Sequence, residues 1–203
     1  MGIIIDRNTG GSYTGDVFSL IILEGVLCGI MQKRVLKPTS YTEVKCDWCD
    51  KSISSGSACC PYCGHAGPAF EWKNNPKKIS FKITPHVLNG FATFYVQLIA
   101  KWVGSDGMDL SAYYCTEFYE RDSTKDYLLE IEVPQNAHVS VSLKMVIPRG
   151  GDDPDETCYF PPMDEKKTVI SEPGMYEIVL CKKPKKGWLI TKYIDAFKIN
   201  RIG

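Results

Sequence analysis

The sequence has no excess of charge of either sign and none of the common catalytic motifs. Lys plus Arg and Asp plus Glu each total 24 among the 203 residues, so no broad electrostatic field draws the chain to nucleic acid or to an anionic membrane. Only three histidines are present. The sequence contains no P-loop, dinucleotide fingerprint or Gly-x-Ser-x-Gly motif. These absences argue against a familiar enzyme class.

Long hydrophobic runs and an export signal are also missing. The longest apolar run, at 17–31, is too short to span a bilayer and is interrupted by Glu24. The opening Met-Gly-Ile-Ile-Ile-Asp lacks the basic start and apolar core of a signal peptide. We therefore expect a cytoplasmic protein without a transmembrane segment.

Cysteine, by contrast, is abundant: the chain has nine, and five of them fall within 46–65. Two Cys-x-x-Cys pairs, Cys46/Cys49 and Cys60/Cys63, are separated by ten residues. Two such turns can supply the four thiolates of a tetrahedral site, which suits Zn²⁺ best. Disulfides and a redox pair are the alternatives, although an odd number of cysteines is unusual for a disulfide framework. We predict one structural zinc ion, because four cysteines leave no open coordination position.

The second pair reads Cys-Pro-Tyr-Cys-Gly, and Gly56 lies in the turn between the pairs. The stretch 46–65 resembles the short four-cysteine zinc-ribbon module, a kind of zinc finger, of many bacterial and archaeal proteins. That module runs as Cys-x-x-Cys, a turn containing Gly, and Cys-Pro-x-Cys-Gly. Asp50 departs from it, because Gly is common at that position. The resemblance implies metal binding and leaves the function open.

Two residues beside the pairs are candidates for a second role. Cys59 precedes Cys60 directly, but pairing Cys59 with Cys63 would not use the Pro-Gly turn, so we predict Cys60 as the ligand. His65 follows the second pair. It is predicted to be a surface residue, with a hydrogen bond to a sulfur or replacement of a ligand as the alternatives.

The remainder of the chain is predicted to be mainly β. Period-two alternation at 126–133 and 138–147 places apolar residues on one face of each segment. Further segments of this kind, separated by turn residues, predict an antiparallel β-sandwich. The stretch Pro-Gly-Met-Tyr-Glu-Ile-Val-Leu at 173–180 weakly resembles the turn and strand of immunoglobulin-like or jelly-roll sandwiches. This likeness concerns the fold alone.

These patterns divide the chain into four segments. The first contains a short strand and the apolar run at 17–31. Residues suited to capping a helix favour a helix for this run, and a Glu-Gly pair within it is compatible with a hairpin instead. The third is rich in Pro, Asn and Lys, as linkers are. The segments are an N-terminal segment (1–45), a four-cysteine zinc ribbon (46–66), a linker (67–78) and an antiparallel β-sandwich (79–203).

One basic hairpin near the end of the chain is a candidate binding surface. It consists of Lys182, Lys183, Lys185 and Lys186 beside Trp188. Such a cluster can contact phosphate, but lysines also protect strand edges from aggregation. An acidic loop at 151–156 does not match a calcium-binding loop, and we predict that it is solvated.

The sequence favours a non-enzymatic zinc-binding interaction protein, a scaffold or adaptor subunit of a larger assembly. Four thiolates and Zn²⁺ carry a net charge of about −2, which repels phosphate. The apolar run at 17–31 needs covering, which favours a protein partner or self-association. The alternatives are a nucleic-acid-binding protein using the ribbon and the basic hairpin, and a ligand-binding sandwich or an unrecognised enzyme.

Overall fold

The computed structural model describes residues 32–83, 93–119, 126–150, 153–186 and 191–203. The apolar run at 17–31, predicted as a helix or a hairpin, lies outside the described residues, as does Trp188. The described part is built of strands, with two short 3-10 helices at Trp72–Asn74 and Glu165–Thr168. The prediction of a mainly β chain is therefore confirmed.

The described strands are labelled in chain order. They are β1 (Gln32–Val35), β2 (Ser40–Tyr41), β3 (Glu43–Lys45), β4 (Ser52–Ser54), β5 (Lys77–Ile83), β6 (Thr93–Val103), β7 (Asp109–Tyr119), β8 (Tyr127–Val133), β9 (His138–Ile147), β10 (Glu156–Phe160), β11 (Val169–Ile170), β12 (Gly174–Lys186) and β13 (Thr191–Arg201).

These strands form two large sheets and one small one. The first sheet has the order β1-β8-β5-β12-β13. The second has the order β10-β9-β6-β7-β2, with β11 also paired to β9. Strands β3 and β4 form a separate hairpin. Two pairs, β1–β8 and β5–β12, are parallel. The first sheet therefore contains both parallel and antiparallel pairs. Parallel pairing is possible because long connections between these strands allow the chain to return in the same direction.

The two large sheets face each other across one apolar core. Period-two alternation builds this core: β8 buries Tyr127, Leu129, Ile131 and Val133, as the sequence pattern predicts. On the opposite sheet β6 buries alternate residues from Phe94 to Trp102. Contacts between the sheets are direct, since the centroids of the Phe118 and Tyr127 rings lie 4.4 Å apart. The described part of the chain thus forms a β-sandwich.

Strand pairing crosses the predicted segment boundaries. Strands β1 and β2 belong to the predicted N-terminal segment, yet they pair with β8 and β7 of the sandwich. Strand β5 begins at Lys77, inside the predicted linker, and Ala69 of the same segment is fully buried. Whether the four segments fold separately stays a prediction.

Candidate metal centre

Two turns of nearly identical backbone geometry hold the four paired cysteines. In the first, the Cys46 N–H donates to the Lys51 carbonyl over 2.9 Å, and the Asp50 N–H donates to the Cys46 carbonyl over 2.9 Å. The first turn follows β3 directly, so the β3–β4 hairpin fixes its direction. Each hydrogen bond closes a loop of a few residues.

The second turn repeats these bonds. The Cys60 N–H donates to the His65 carbonyl over 2.7 Å, and the Gly64 N–H donates to the Cys60 carbonyl over 2.9 Å. Gly64 has a φ of 75° and Asp50, at the equivalent position, has a φ of 57°. Glycine adopts this left-handed conformation without strain, and Asp tolerates it better than most residues. This explains how the first turn closes despite lacking the usual glycine.

The four Sγ atoms converge to the dimensions of a metal site. They all lie within 4.8 Å of one another, and the Cys46–Cys63 and Cys49–Cys60 pairs are each 3.7 Å apart. A tetrahedron with metal–sulfur bonds of about 2.3 Å has edges of about 3.8 Å, whereas a disulfide bond is about 2.05 Å long. The spacing therefore fits four ligands around a metal ion and excludes two disulfides.

The close thiols perturb one another's protonation. Burial opposes ionisation of Cys60, but the backbone N–H groups of Tyr62 and Cys63 and the neighbouring thiols lower its pKa to about 7. For Cys63, the His65 N–H favours the thiolate, but burial and the other three thiols raise its pKa to about 12. Cys60 therefore ionises more readily than Cys63. A bound cation would ionise such a resistant thiol, because metal coordination deprotonates a thiol outright.

The two neighbouring candidates lie outside the group of four. Cys59 is exposed and forms a backbone bridge with Ala66, whereas Cys60 is buried. His65 is also exposed, and its ring stacks on Trp48 with centroids 4.2 Å apart and planes 11° from parallel. Neither residue belongs to the group of close potential ligands.

Sequence reasoning missed the aromatic residues that the two turns display. Trp48 lies between the first pair of cysteines and Tyr62 between the second, with 70% and 61% of their surface exposed. The Lys51 ammonium lies 4.8 Å from the centroid of the Tyr62 ring. The sequence does indicate that these two side chains are exposed. The residues inside a Cys-x-x-Cys turn must point away from a metal when both sulfurs point at it.

The two cysteine turns, 46–51 and 60–65, are called the metal turns below, and they rest on one end of the sandwich. A Cβ atom on Gly56 would lie 2.4 Å from the Tyr41 ring, so only glycine allows this close packing. Lys73 donates a hydrogen bond to the Gly56 carbonyl. The Ser55 N–H donates to the Thr42 carbonyl over 2.8 Å. The cysteines and the β3–β4 hairpin join the same buried apolar cluster as the large sheets.

In the basic hairpin, the two lysine side chains that the structure describes, Lys182 and Lys183, both contact other groups of the protein. Lys182 forms an ion pair with Asp195, and the Lys183 ammonium donates to the Pro162 carbonyl over 2.8 Å. Lys185 and Lys186 lie in β12, opposite β13. Glu156, the last residue of the predicted acidic loop, forms a 2.8 Å ion pair with Arg149.

The chain matches no protein-family model, no curated protein and no solved structure. Among the residues that the structure describes, no helix has the length and apolarity to cross a membrane. The function is therefore inferred from the cysteine cluster and its surroundings.

Proposed function

We propose that this protein is a non-enzymatic zinc-binding scaffold or adaptor subunit that recognises another protein through its metal turns. The zinc assignment is supported by the donor set, because four thiolates at tetrahedral spacing suit Zn²⁺ and fill its coordination shell. A filled shell leaves no position for substrate or activated water. In this proposal the metal is structural, as in the zinc ribbons that the stretch 46–65 resembles.

The observation that carries the interaction role is the exposure of Trp48 and Tyr62 at equivalent places on the two turns. Exposed Trp and Tyr side chains on rigid backbone are common anchors of protein interfaces, because they bury a large area and lose little conformational entropy. The stacked His65 ring holds Trp48 further in place. In this proposal the bound metal fixes both turns, so each of the two aromatic side chains is displayed on a rigid backbone.

The nucleic-acid alternative receives less support. The metal-loaded cluster carries a charge of about −2, and the flanking side chains Lys45, Lys51, Asp47 and Asp50 cancel. Lys182 and Lys183 of the basic hairpin are engaged with groups of the protein itself. A protein that neutralises phosphates needs several free cations on one surface.

Three measurements test the proposal. Elemental analysis of the purified chain should give about one zinc per molecule, and a coloured iron form would contradict the metal assignment. Affinity purification from the native host, followed by mass spectrometry, should recover a protein partner. The double variant Trp48→Ala, Tyr62→Ala should lose that partner while keeping its zinc.

Tyr159→Ala is the matched control, because Tyr159 is a 71% exposed aromatic residue on β10 of the sandwich. This variant should retain the partner. Equal recovery with all three proteins would contradict the proposed surface. Tight, salt-sensitive binding of DNA or RNA that is lost when the four lysines of the basic hairpin become Glu would favour the nucleic-acid alternative.

A further inference from the structure

A cleft of about 430 Å³ separates the metal turns from the adjoining end of the sandwich. One wall comes from the β3–β4 hairpin and the segment 66–72, and the other from the β6–β7 and β8–β9 turns. Its volume is in the range of sites that hold a ligand or a few side chains. Neither Trp48 nor Tyr62 is among the residues that line the cleft.

The cleft is acidic, although the chain as a whole is neutral. Its lining contains the carboxylates Asp47, Glu71 and Asp106 and one ammonium group, that of Lys45. Cys46 also lines it, so a metal-loaded thiolate cluster adds further negative charge on that side. The protein around the cleft has a low dielectric constant and concentrates the electric field of these negative charges. This field attracts cations into the cleft.

The same cleft has an aromatic and apolar lining. The Trp72 and Trp102 rings meet edge to face with centroids 6.2 Å apart. Phe70 and Val103 line the cleft and remain 54% and 51% exposed. Aromatic rings attract ammonium and guanidinium groups, and exposed apolar side chains gain from being covered. Acidic groups beside aromatic ones therefore suit a cation that carries an apolar stem, as Lys and Arg side chains do.

We propose that this cleft binds a basic segment of a protein partner, one that carries apolar side chains close to its Lys or Arg residues. The basic side chains pair with Glu71, Asp106 and Asp47, and the apolar ones cover Phe70 and Val103. The inference rests on the proposed function, because it specifies the partner's chemistry. It adds a second contact surface to the aromatic one on the metal turns.

The test uses the zinc-loaded full chain and two synthetic nine-residue peptides. One alternates Lys with Leu, and the other has Glu in place of each Lys. Calorimetric titration at 50 mM and 200 mM salt should show binding of the basic peptide alone, weakened at least about threefold at the higher salt. The double variant Glu71→Gln, Asp106→Asn should weaken it at least about tenfold, and Phe70→Ala at least about threefold.

A second double variant, Asp153→Asn, Asp155→Asn, is the matched control. It removes the same charge from an exposed segment outside the cleft and should change affinity by less than about twofold. In Asp106→Asn the amide oxygen can still accept the hydrogen bond that Asp106 takes from the Met108 N–H over 3.0 Å, so the turn is retained. Equal weakening by both double variants, or no difference between the two peptides, would overturn the proposal. The partner capture that depends on Trp48 and Tyr62 would then stand or fall separately.

Discussion

The backbone conformation of Gly64 gives the sharpest test of the metal turns. Gly64 has a φ of 75°, and a Cβ added there would meet no atom within 4 Å. Gly64→Ala therefore introduces no clash, and its cost is the left-handed conformation alone. That cost is about 1–2 kcal/mol for an L-residue, which corresponds to a roughly 5- to 30-fold loss of metal affinity when folding of the turn and metal binding are coupled.

Gly107 provides a control with the same local geometry in a different place. It lies in the β6–β7 turn with a φ of 82°, and a Cβ there would also meet nothing within 4 Å. Gly107→Ala should lower the free energy of unfolding by a similar amount, about 1–2 kcal/mol, and leave metal affinity unchanged. Competition with a chromophoric chelator measures the affinity, and urea unfolding measures the stability.

Asp50, which occupies the equivalent position in the first turn, should respond in the opposite direction. Asp50→Gly removes the strain and should tighten metal binding about two- to fivefold. Asp50→Asn removes the same charge but keeps a side chain, so the difference between the two variants isolates the backbone effect. A Gly64→Ala variant that binds the metal within about twofold of the unmodified protein would contradict this account of the turns.

Two further predictions concern neighbouring pairs of residues with contrasting environments. Cys60→Ser should abolish or sharply reduce the zinc content, whereas Cys59→Ser should leave it unchanged, and elemental analysis that shows the reverse would assign the ligand to Cys59. Lys77→Met should destabilise the fold by about 3 kcal/mol, because the buried ammonium donates to three backbone carbonyls that would lose their partner. Lys78→Met, at an exposed position, should cost less than about 0.5 kcal/mol in the same urea titration, and equal effects would contradict this interpretation.

The parts of the structure that were predictable are those set by short-range pattern. Alternation along β8 and β9 predicts the buried faces, because a strand with one face in a core must place every second side chain there. The Cys-x-x-Cys spacing likewise predicts which sulfurs come together, since each turn converges within four residues. Both signals are complete within short stretches of sequence.

The parts that were not predictable depend on contacts between distant segments. Lys77 lies in a stretch that reads as a linker, yet it is 3% exposed. Its ammonium bonds to the carbonyls of Gln135, Ala137 and Ser171, which no local pattern indicates. The same burial lowers the pKa of Lys77. The parallel pairing of β5 with β12 and the cleft beside the metal turns arise in the same way.

The position of the metal turns against the sandwich bears on how the two parts act together. A module of about twenty residues cannot bury a core of its own, so metal coordination usually replaces one. Here Val44, Ile53, Cys46 and Cys60 also join the buried cluster of the large sheets. In the proposed zinc-bound form, the metal would hold both the turns and the wall of the cleft to which Cys46 belongs. Under that proposal, loss of the metal would disturb the aromatic surface and the acidic cleft together, so that both proposed contacts would require a bound metal.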